Sequence, residues 1–257
     1  MLIFLALIFG LIVGSFLNVV ILRLHAGRDF VAGRSECLSC HHSLGPADLV
    51  PIASFVFLRG RCRYCRQKIS WQYPLVEAAT ALLFAASFYL LFRKIGVYNL
   101  AFGLELLRNW LVIAVLVVVF VYDLKWQLIP DEAVLPLIGI VVILNLLLGR
   151  GIADLLIGLL IGFGFFAAQY FISGGRWIGG GDLRLGALLG VLFGWQGAIL
   201  ALFLSYILGA IVSIGLLITK KATRQSQIPF GVFIAPAVIF VLLFGQGLAD
   251  WYFGLLF

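Results

Sequence analysis

Long apolar runs occupy most of this chain and constrain its fold more than any other feature. They can be drawn at residues 2–24, 74–92, 106–124, 132–148, 152–173, 183–194, 197–219 and 230–256. Most approach the roughly 20 residues that a helix needs to cross a bilayer core, and they lack the alternation of a barrel strand. The sequence therefore predicts an all-α polytopic membrane protein with about eight transmembrane helices. The run at 183–194 is short and contains glycine, so it is expected to span poorly, to tilt or to dip back.

The composition agrees with a membrane protein, since 63% of the residues are hydrophobic and only 11% are charged. The run at 2–24 lacks a basic segment before it and a small-x-small cleavage site, so we interpret it as a retained helix and not as a secretory signal. The net charge of +7 could suggest nucleic acid. In a membrane protein, however, Lys and Arg chiefly mark the cytoplasmic loops. We therefore predict contact with the lipid bilayer and no binding of nucleic acid.

The distribution of the basic residues predicts an orientation. Most of the 18 Lys and Arg residues fall in the loops that follow the first, third, fifth and seventh runs. Loops rich in these residues stay in the cytoplasm, so the N-terminus is expected outside. This orientation places Asp123 and Asp182, which lie at the ends of apolar runs, at the cytoplasmic face.

The loop at about residues 25–73 is the one sizeable hydrophilic segment, and all four cysteines lie in it. They form two C-x-x-C hooks, Cys37 with Cys40 and Cys62 with Cys65. Such a pair of hooks is typical of a tetrahedral zinc site, in which the metal replaces the core that a short segment lacks. Two disulfides are the alternative, which a reducing cytoplasm disfavours. We predict three domains: a first helix at 1–24, a cytoplasmic zinc-binding loop at 25–73 and a membrane domain at 74–257.

Two aspartates stand at the ends of apolar runs. Asp123 follows the third run, where the C-terminal end of a helix disfavours a negative charge. Asp182 precedes the sixth run and could simply cap a helix that begins at Leu183. Three glycines come before it, and their backbone permits a tight turn and the close approach of another chain. These glycines are Gly179, Gly180 and Gly181.

Two carboxylates at the same membrane face can act as an aspartic peptidase if they meet in space. They then share one proton, so one carboxylate takes a proton from water while the other donates a proton to the peptide carbonyl. This chemistry needs neither a metal nor a nucleophilic side chain. Asp123 and Asp182 are therefore the predicted catalytic residues.

Other polar residues have readier structural explanations. Asp131 and Glu132 follow a proline at a predicted helix start, which favours acidic residues. Glu77 lies in the first turn of the second predicted helix, where either the helix dipole or a functional role explains it. Asn18 and Asn145 lie inside apolar runs and are expected to form hydrogen bonds between helices.

Several motifs, taken in order, resemble those of the bacterial type IV prepilin peptidases, membrane aspartic endopeptidases that also N-methylate their products. The matching segments are residues 14–20 of the first helix, the cysteine hooks with 58–77, Asp123 with 129–131, residues 179–182 and residues 229–231. The resemblance covers most of the chain. One departure is Arg184, which stands where the family usually has lysine; the charge is kept but the shape is not.

The resemblance implies that Asp123 and Asp182 cut a basic leader from prepilins and pseudopilins, the precursors used in type IV pili and type II secretion. This would occur at the cytoplasmic face of the bacterial inner membrane. The resemblance also implies methylation with S-adenosylmethionine, for which it assigns no residues. Substrate contact or a supporting role is expected for a set of nearby residues. These are Gly179, Gly180, Gly181, Arg184, Asp131, Glu132 and Glu77.

Two other classes of function compete with the peptidase. A proton-coupled transporter or channel would use intramembrane carboxylates as relays, but the two aspartates are predicted at the membrane edge and not at its middle. A zinc-bearing membrane scaffold without catalysis is the third possibility. Cleavage of a pilin precursor distinguishes the peptidase from both.

Overall fold

The structure, a computed structural model, describes residues 1–30, 33–221, 223 and 228–256. The helices are α1 (Leu2–His25), α2 (Ala53–Phe57), α3 (Gln72–Ile95), α4 (Leu100–Trp126), α5 (Asp131–Leu147), α6 (Ile152–Ser173), α7 (Gly180–Ile218) and α8 (Gly231–Leu256). A 3₁₀ turn occupies Pro46–Asp48. The described residues form no β-strand, so the predicted all-α class is confirmed.

The chain is a multi-pass membrane protein. Among the described residues, five helices are long and apolar enough to cross a membrane, namely α1, α3, α4, α6 and α7. The predicted count of eight is approximate, because the runs drawn at 183–194 and 197–219 form the single helix α7. That helix is broken at Gly194, whose φ of +73° and ψ of −171° lie outside the helical region.

Helix α4 begins earlier than the predicted run at 106–124. The side chain of Asn99 accepts a hydrogen bond from the Phe102 N–H at 2.8 Å and so caps the first turn. The earlier start adds residues 100–105 to the predicted run, among them Glu105. Arg108, in the first turn of that run, is buried at 5% exposure.

The chain divides into two compact units, Met1–Tyr98 and Asn99–Phe257. In the first unit, α1 packs against α3, and the cysteine loop connects them. Asn18 of α1 donates a hydrogen bond to the Tyr73 carbonyl at 3.2 Å, which confirms its predicted bond between helices. The predicted division into domains at 24/25 and 73/74 stays a prediction.

The second unit is organised around residues 180–193 of α7, which we call the first arm. From Leu185 to Phe193 its side chains are apolar on all sides, as expected for a helix surrounded by protein. Five of them are at most 2% exposed: Leu185, Leu188, Leu189, Val191 and Leu192. They pack with α4, α5, α6 and α8 in one continuous core.

Beyond Gly194 the chain doubles back as a second arm, residues 195–218. Tyr206 of the second arm lies within electrostatic range of Asp182 in the first. A straight helix would separate these two residues by about 36 Å, so the arms must run side by side. The reversal agrees with the expectation that the short run at 183–194 dips back.

Candidate active site

Asp123 lies in the last turn of α4 and points at the start of α8. Its Oδ2 accepts a hydrogen bond from the Val232 N–H at 3.1 Å, and the Gly231 N–H also donates to this carboxylate. The first N–H groups of a helix have no partner within it and form its positive end, so they stabilise a buried carboxylate. A Cβ atom at residue 231 would lie 2.7 Å from Asp123 Oδ2. Only glycine therefore allows this approach.

Asp182 lies in the first turn of α7, and its side chain is buried at 7% exposure. Its Oδ2 accepts a hydrogen bond from the Gly179 N–H at 3.0 Å. The helix begins at Gly180 and not at Leu183, but the capping role considered for Asp182 is real. The carboxylates of Asp123 and Asp182 are close enough to repel each other electrostatically. The ends of α4, α7 and α8 thus bring the two predicted residues together.

The glycines before Asp182 matter because a side chain would not fit at one of them, and not because any of them adopts a backbone conformation that favours glycine. The segment enters α7 from an extended conformation at Gly179, with φ of −80°; the positive-φ residues of the chain do not include Gly179, Gly180 or Gly181. None of the three therefore uses the backbone conformations that only glycine adopts readily. A Cβ at Gly181 would lie 2.8 Å from the Cβ of Ile129, whereas a Cβ at Gly180 would meet nothing within 4 Å. Close approach is required at Gly181 alone.

Charged residues flank the pair of aspartates. Arg184 forms an ion pair with Asp131 across the starts of α7 and α5. Asp131 is thus already neutralised, while Glu132 beside it is exposed. The aromatic ring of Tyr122 packs edge-on against Trp126 at 4.7 Å, next to Asp123 in the sequence.

Glu77 belongs to the first unit, where it holds the cysteine loop. Its Oε2 accepts a hydrogen bond from the Ile52 N–H at 2.7 Å, and Ser15 of α1 also bonds to its side chain. Ile52 has a positive φ of +57°, which is uncommon for a β-branched residue. The carboxylate therefore fixes a strained point of the loop beside the first turn of α3.

The two C-x-x-C hooks fold in the same way. In the first, the Cys37 N–H donates to the His42 carbonyl at 3.0 Å, and in the second the Cys62 N–H donates to the Gln67 carbonyl at 2.8 Å. Each hook is closed by one isolated bridge, Glu36 with Ser43 and Arg61 with Lys68. The equivalent positions His41 and Arg66 both have positive φ. The hooks are thus two copies of one local structure.

The four sulfur atoms lie within 4.8 Å of one another, and Cys37 Sγ is 3.9 Å from Cys65 Sγ. Tetrahedral coordination with metal–sulfur bonds of about 2.3 Å requires sulfur atoms about 3.8 Å apart. The N–H groups of Cys40 and Ser39 lower the pKa of the Cys37 thiol to about 6, which favours the thiolate that a metal needs. At Cys65 the Gln67 N–H is outweighed by burial and by the neighbouring sulfur atoms, which raise the pKa of the thiol to about 11. The cysteines are free, with no disulfide among them. The cluster can hold a metal ion.

Asp48 connects the second hook to the rest of the loop. Arg63 Nε donates to its Oδ1 at 2.6 Å, and the Tyr64 hydroxyl donates to its Oδ2 at 3.2 Å. Partial burial alone would raise the pKa of Asp48, but these bonds and the N–H of Gly45 outweigh it and lower the pKa. Arg63 and Tyr64 thus have partners within their own loop.

The sequence does not predict that α8 contributes to the site. Residues 229–231 were noted only as a motif of the resemblance, and Val232 was not considered a candidate. A usable signal was present: a glycine directly before an apolar run marks a helix start, and a helix start offers N–H groups to a carboxylate. The sequence contains no indication of which carboxylate would receive them.

The fold and the site together define an all-helical membrane protein with a buried carboxylate pair and a four-cysteine loop. Comparison with known proteins is specific: residues 8–91 match the bacterial peptidase A24 N-terminal domain, and residues 110–214 match the type IV leader peptidase family. The chain belongs to the type IV leader peptidase family. The two matched segments fall in the two structural units.

Relatives that match nearly the whole chain carry the name prepilin leader peptidase/N-methyltransferase. That of Aeromonas hydrophila is 34% identical over 96% of this chain and 92% of its own length. The relative from Bacillus subtilis is 34% identical over 95% of each chain. The relative from Pseudomonas aeruginosa is 33% identical over 96% of this chain and 91% of its own length. No solved structure matches the chain.

Proposed function

We propose that this chain cleaves the leader peptide from type IV prepilins and methylates the new N-terminus. The family and the near full-length relatives support this activity. They give no support to a transporter or channel. The single observation that supports the peptidase mechanism is that the buried carboxylates of Asp123 and Asp182, at the ends of three helices, lie within electrostatic range of each other.

In the proposed reaction the two carboxyl groups share one proton at the start. The charged carboxylate takes a proton from water as the water oxygen attacks the carbonyl carbon of the scissile bond. Its partner donates its proton to the carbonyl oxygen. When the carbon–nitrogen bond breaks, the leaving nitrogen takes the first proton and a hydroxyl of the intermediate returns the second. The pair then holds one proton again, and no other reactant is consumed.

The surroundings of the pair suggest how a basic leader is received. Glu132 is exposed and available to a cationic peptide, whereas Asp131 is paired with Arg184. We infer that Glu132 meets the leader and that Asp131 and Arg184 hold the starts of α5 and α7 together. Pseudopilins carry the same kind of leader by the resemblance, so we include them among the substrates.

We further propose that the protein lies in the bacterial inner membrane with its N-terminus outside. The distribution of Lys and Arg supports this orientation. The ends of α4 and α7 that carry the aspartates then face the cytoplasm, where the leader of a newly made precursor is found.

We propose that the four cysteines bind zinc as a structural metal. The spacing of the sulfur atoms fits a tetrahedral ion, and four thiolate ligands leave no position open for water or substrate. The ion would replace the apolar core that a loop of this size lacks. The role of the zinc ion would therefore be structural: it would stabilise the fold of the loop.

Methylation requires a methyl donor, and S-adenosylmethionine is our proposal from the resemblance. The described residues contain no strand followed by a glycine-rich turn and a helix, the arrangement that most often binds adenine cofactors. No residue is assigned to the donor.

The test replaces Asp123 or Asp182 by Asn. An Asn side chain still accepts the N–H bonds of Val232 and Gly179, so the helix ends keep their contacts. We expect prepilin cleavage to fall by about 10³-fold or more, because the proton can no longer be shared. Asp29→Asn, which changes an exposed acid in the loop after α1, is the control for the loss of one carboxylate. Normal processing by either aspartate variant would refute the proposed chemistry.

A further inference from the structure

The break in α7 creates polar groups that need partners inside the membrane. The first arm is about 21 Å long, shorter than the roughly 30 Å of a bilayer core. Its far end, at Gly194, therefore lies within the apolar layer. The last carbonyl groups of a helix have no partner within it, and no water is available there to replace one.

Two side chains supply the missing donors. Asn145 of α5, fully buried at 0% exposure, donates from Nδ2 to the Val191 carbonyl at 2.7 Å. Arg150, just beyond α5, donates from one guanidinium nitrogen to the Leu192 carbonyl at 3.0 Å. The end of the first arm is thus bound by two residues that the peptidase mechanism does not use.

Arg108 of α4 holds Asn145 in turn. Its guanidinium donates to Asn145 Oδ1 at 2.6 Å and to Asn109 Oδ1 at 3.1 Å, and it pairs with Glu105 at 3.4 Å. A buried arginine is costly unless its hydrogen bonds are satisfied. We call Arg108, Asn145 and Arg150 the turn network.

The other side of the break is equally constrained. The carboxylate of Asp154 in α6 lies against Gly194, where a Cβ would be 2.5 Å from its Oδ2. This places an acid at the N-terminal, positive end of the second arm. The positive φ of Gly194 and this contact both require glycine.

Packing along the first arm leaves little room for adjustment. A Cβ at Gly186 would lie 2.5 Å from Phe166 Cδ2, and a Cβ at Gly190 would lie 2.9 Å from the Cα of Leu159. The first arm therefore contacts the α6 backbone directly. A shift by one residue, about 1.5 Å, would bring side chains into these contacts.

We propose that Arg108, Asn145 and Arg150 are positioning residues that fix the depth of Asp182 relative to Asp123. Helix α4 carries Arg108 near one end and Asp123 near the other, about 22 Å apart. The first arm runs antiparallel to it and carries the bound carbonyls of Val191 and Leu192 at one end and Asp182 at the other. The turn network thus sets the register between two helices whose opposite ends carry the carboxylate pair.

The inference rests on the proposed peptidase function and is tested separately from it. Asn145→Leu, of similar volume, removes both the acceptor for Arg108 and the donor to Val191. We expect kcat for prepilin cleavage to fall about 10- to 100-fold with KM within about twofold, since a misplacement of about 1 Å can have this effect. The pH–rate profile should change shape, because the interaction between two carboxylates depends on their separation.

The matched control is Ser205→Ala. Ser205 is a buried polar residue of the second arm that bonds only within its own helix, to the Ala201 carbonyl at 2.6 Å. It should keep both kcat and the pH profile. A second pair, Arg108→Met and Arg108→Lys, tests rescue: Lys keeps a donor and should recover part of the kcat that Met loses.

Wild-type kcat and pH profile in Asn145→Leu would overturn the proposal that the turn network positions Asp182. So would a loss of activity that only follows the amount of folded protein and leaves the profile of the remaining enzyme unchanged. If Asn145→Leu does not fold, Arg150→Met replaces it, and a wild-type kcat and profile there overturn the proposal equally. Full activity of Asp123→Asn would instead refute the peptidase chemistry itself.

Discussion

The four-cysteine cluster and the carboxylate pair are built in opposite ways. The cysteines come from two short local turns, and two of them are exposed. The carboxylates are both buried. Asp123 accepts its hydrogen bond from the start of α8, far away in the chain, whereas Asp182 accepts one from Gly179 at the start of its own helix. The geometry of the four-cysteine cluster should therefore depend on its metal, whereas the geometry of the carboxylate pair depends on the packing of the helices. The two regions should therefore fail independently and under different changes.

The largest expected effect is on the cysteine cluster. Cys62→Ser should remove about one equivalent of bound zinc per chain and leave the loop open to protease, because a structural zinc contributes most of the folding free energy of so small a module. Metal analysis and limited proteolysis of the full-length protein measure both changes. Prepilin cleavage should fall far less than in Asp123→Asn.

His41→Asn is the control for Cys62→Ser, since asparagine tolerates the positive φ of that position. It should keep the metal, because four thiolates complete the coordination. Full zinc content in Cys62→Ser would contradict the four-cysteine site. A loss of cleavage equal to that of the aspartate variants would contradict the independence of the two regions.

The intermediate effect concerns packing at the carboxylate pair. Gly181→Ala should lower kcat/KM about 10- to 100-fold, because its Cβ would lie 2.8 Å from the Cβ of Ile129 and would displace the start of α7. Gly180→Ala adds the same methyl group to open space and should cost less than about twofold. The measurement is cleavage of a prepilin by both purified variants. An equal loss at Gly180 would indicate direct contact with the substrate instead.

The difference between the two regions also explains what the sequence could predict. The spacing of the cysteines encodes the whole cluster, because each hook is closed by bonds between residues no more than nine positions apart, and four thiolates suffice for one ion. The aspartates were identified by their positions at the ends of apolar runs. The donor to Asp123 was not, since Val232 is 109 residues away in the chain, whereas Gly179, the donor to Asp182, was among the predicted residues.

The roles of the individual glycines are also hard to predict from the sequence. Three consecutive glycines suggested a turn, but Gly179 is extended, Gly180 and Gly181 already belong to α7, and only Gly181 makes a close contact. Gly194 is the glycine that reverses the chain, and its signal was the shortness of the run at 183–194. A glycine in a sequence indicates that a side chain is excluded; which neighbour or which dihedral angle excludes it depends on helices distant in the chain.

The smallest expected effect is electrostatic and returns to the cysteine loop. Arg63 lowers the pKa of Asp48 in the folded protein, so the pair stabilises the loop above the unfolded pKa of about 3.9, and this contribution is lost as the pH falls through the lower folded value. Arg63→Ala should therefore destabilise the loop at pH 7, by less than about 1 kcal/mol because Arg63 is half exposed. Its difference from the wild type should stay constant between pH 7 and about pH 5, where Asp48 remains ionised and the thiolates keep their metal. Protease resistance of the loop over this range measures this, with Arg61→Ala as the control for loss of charge; an equal loss of resistance in Arg61→Ala would assign the effect to the charge of the loop and not to the Arg63–Asp48 pair.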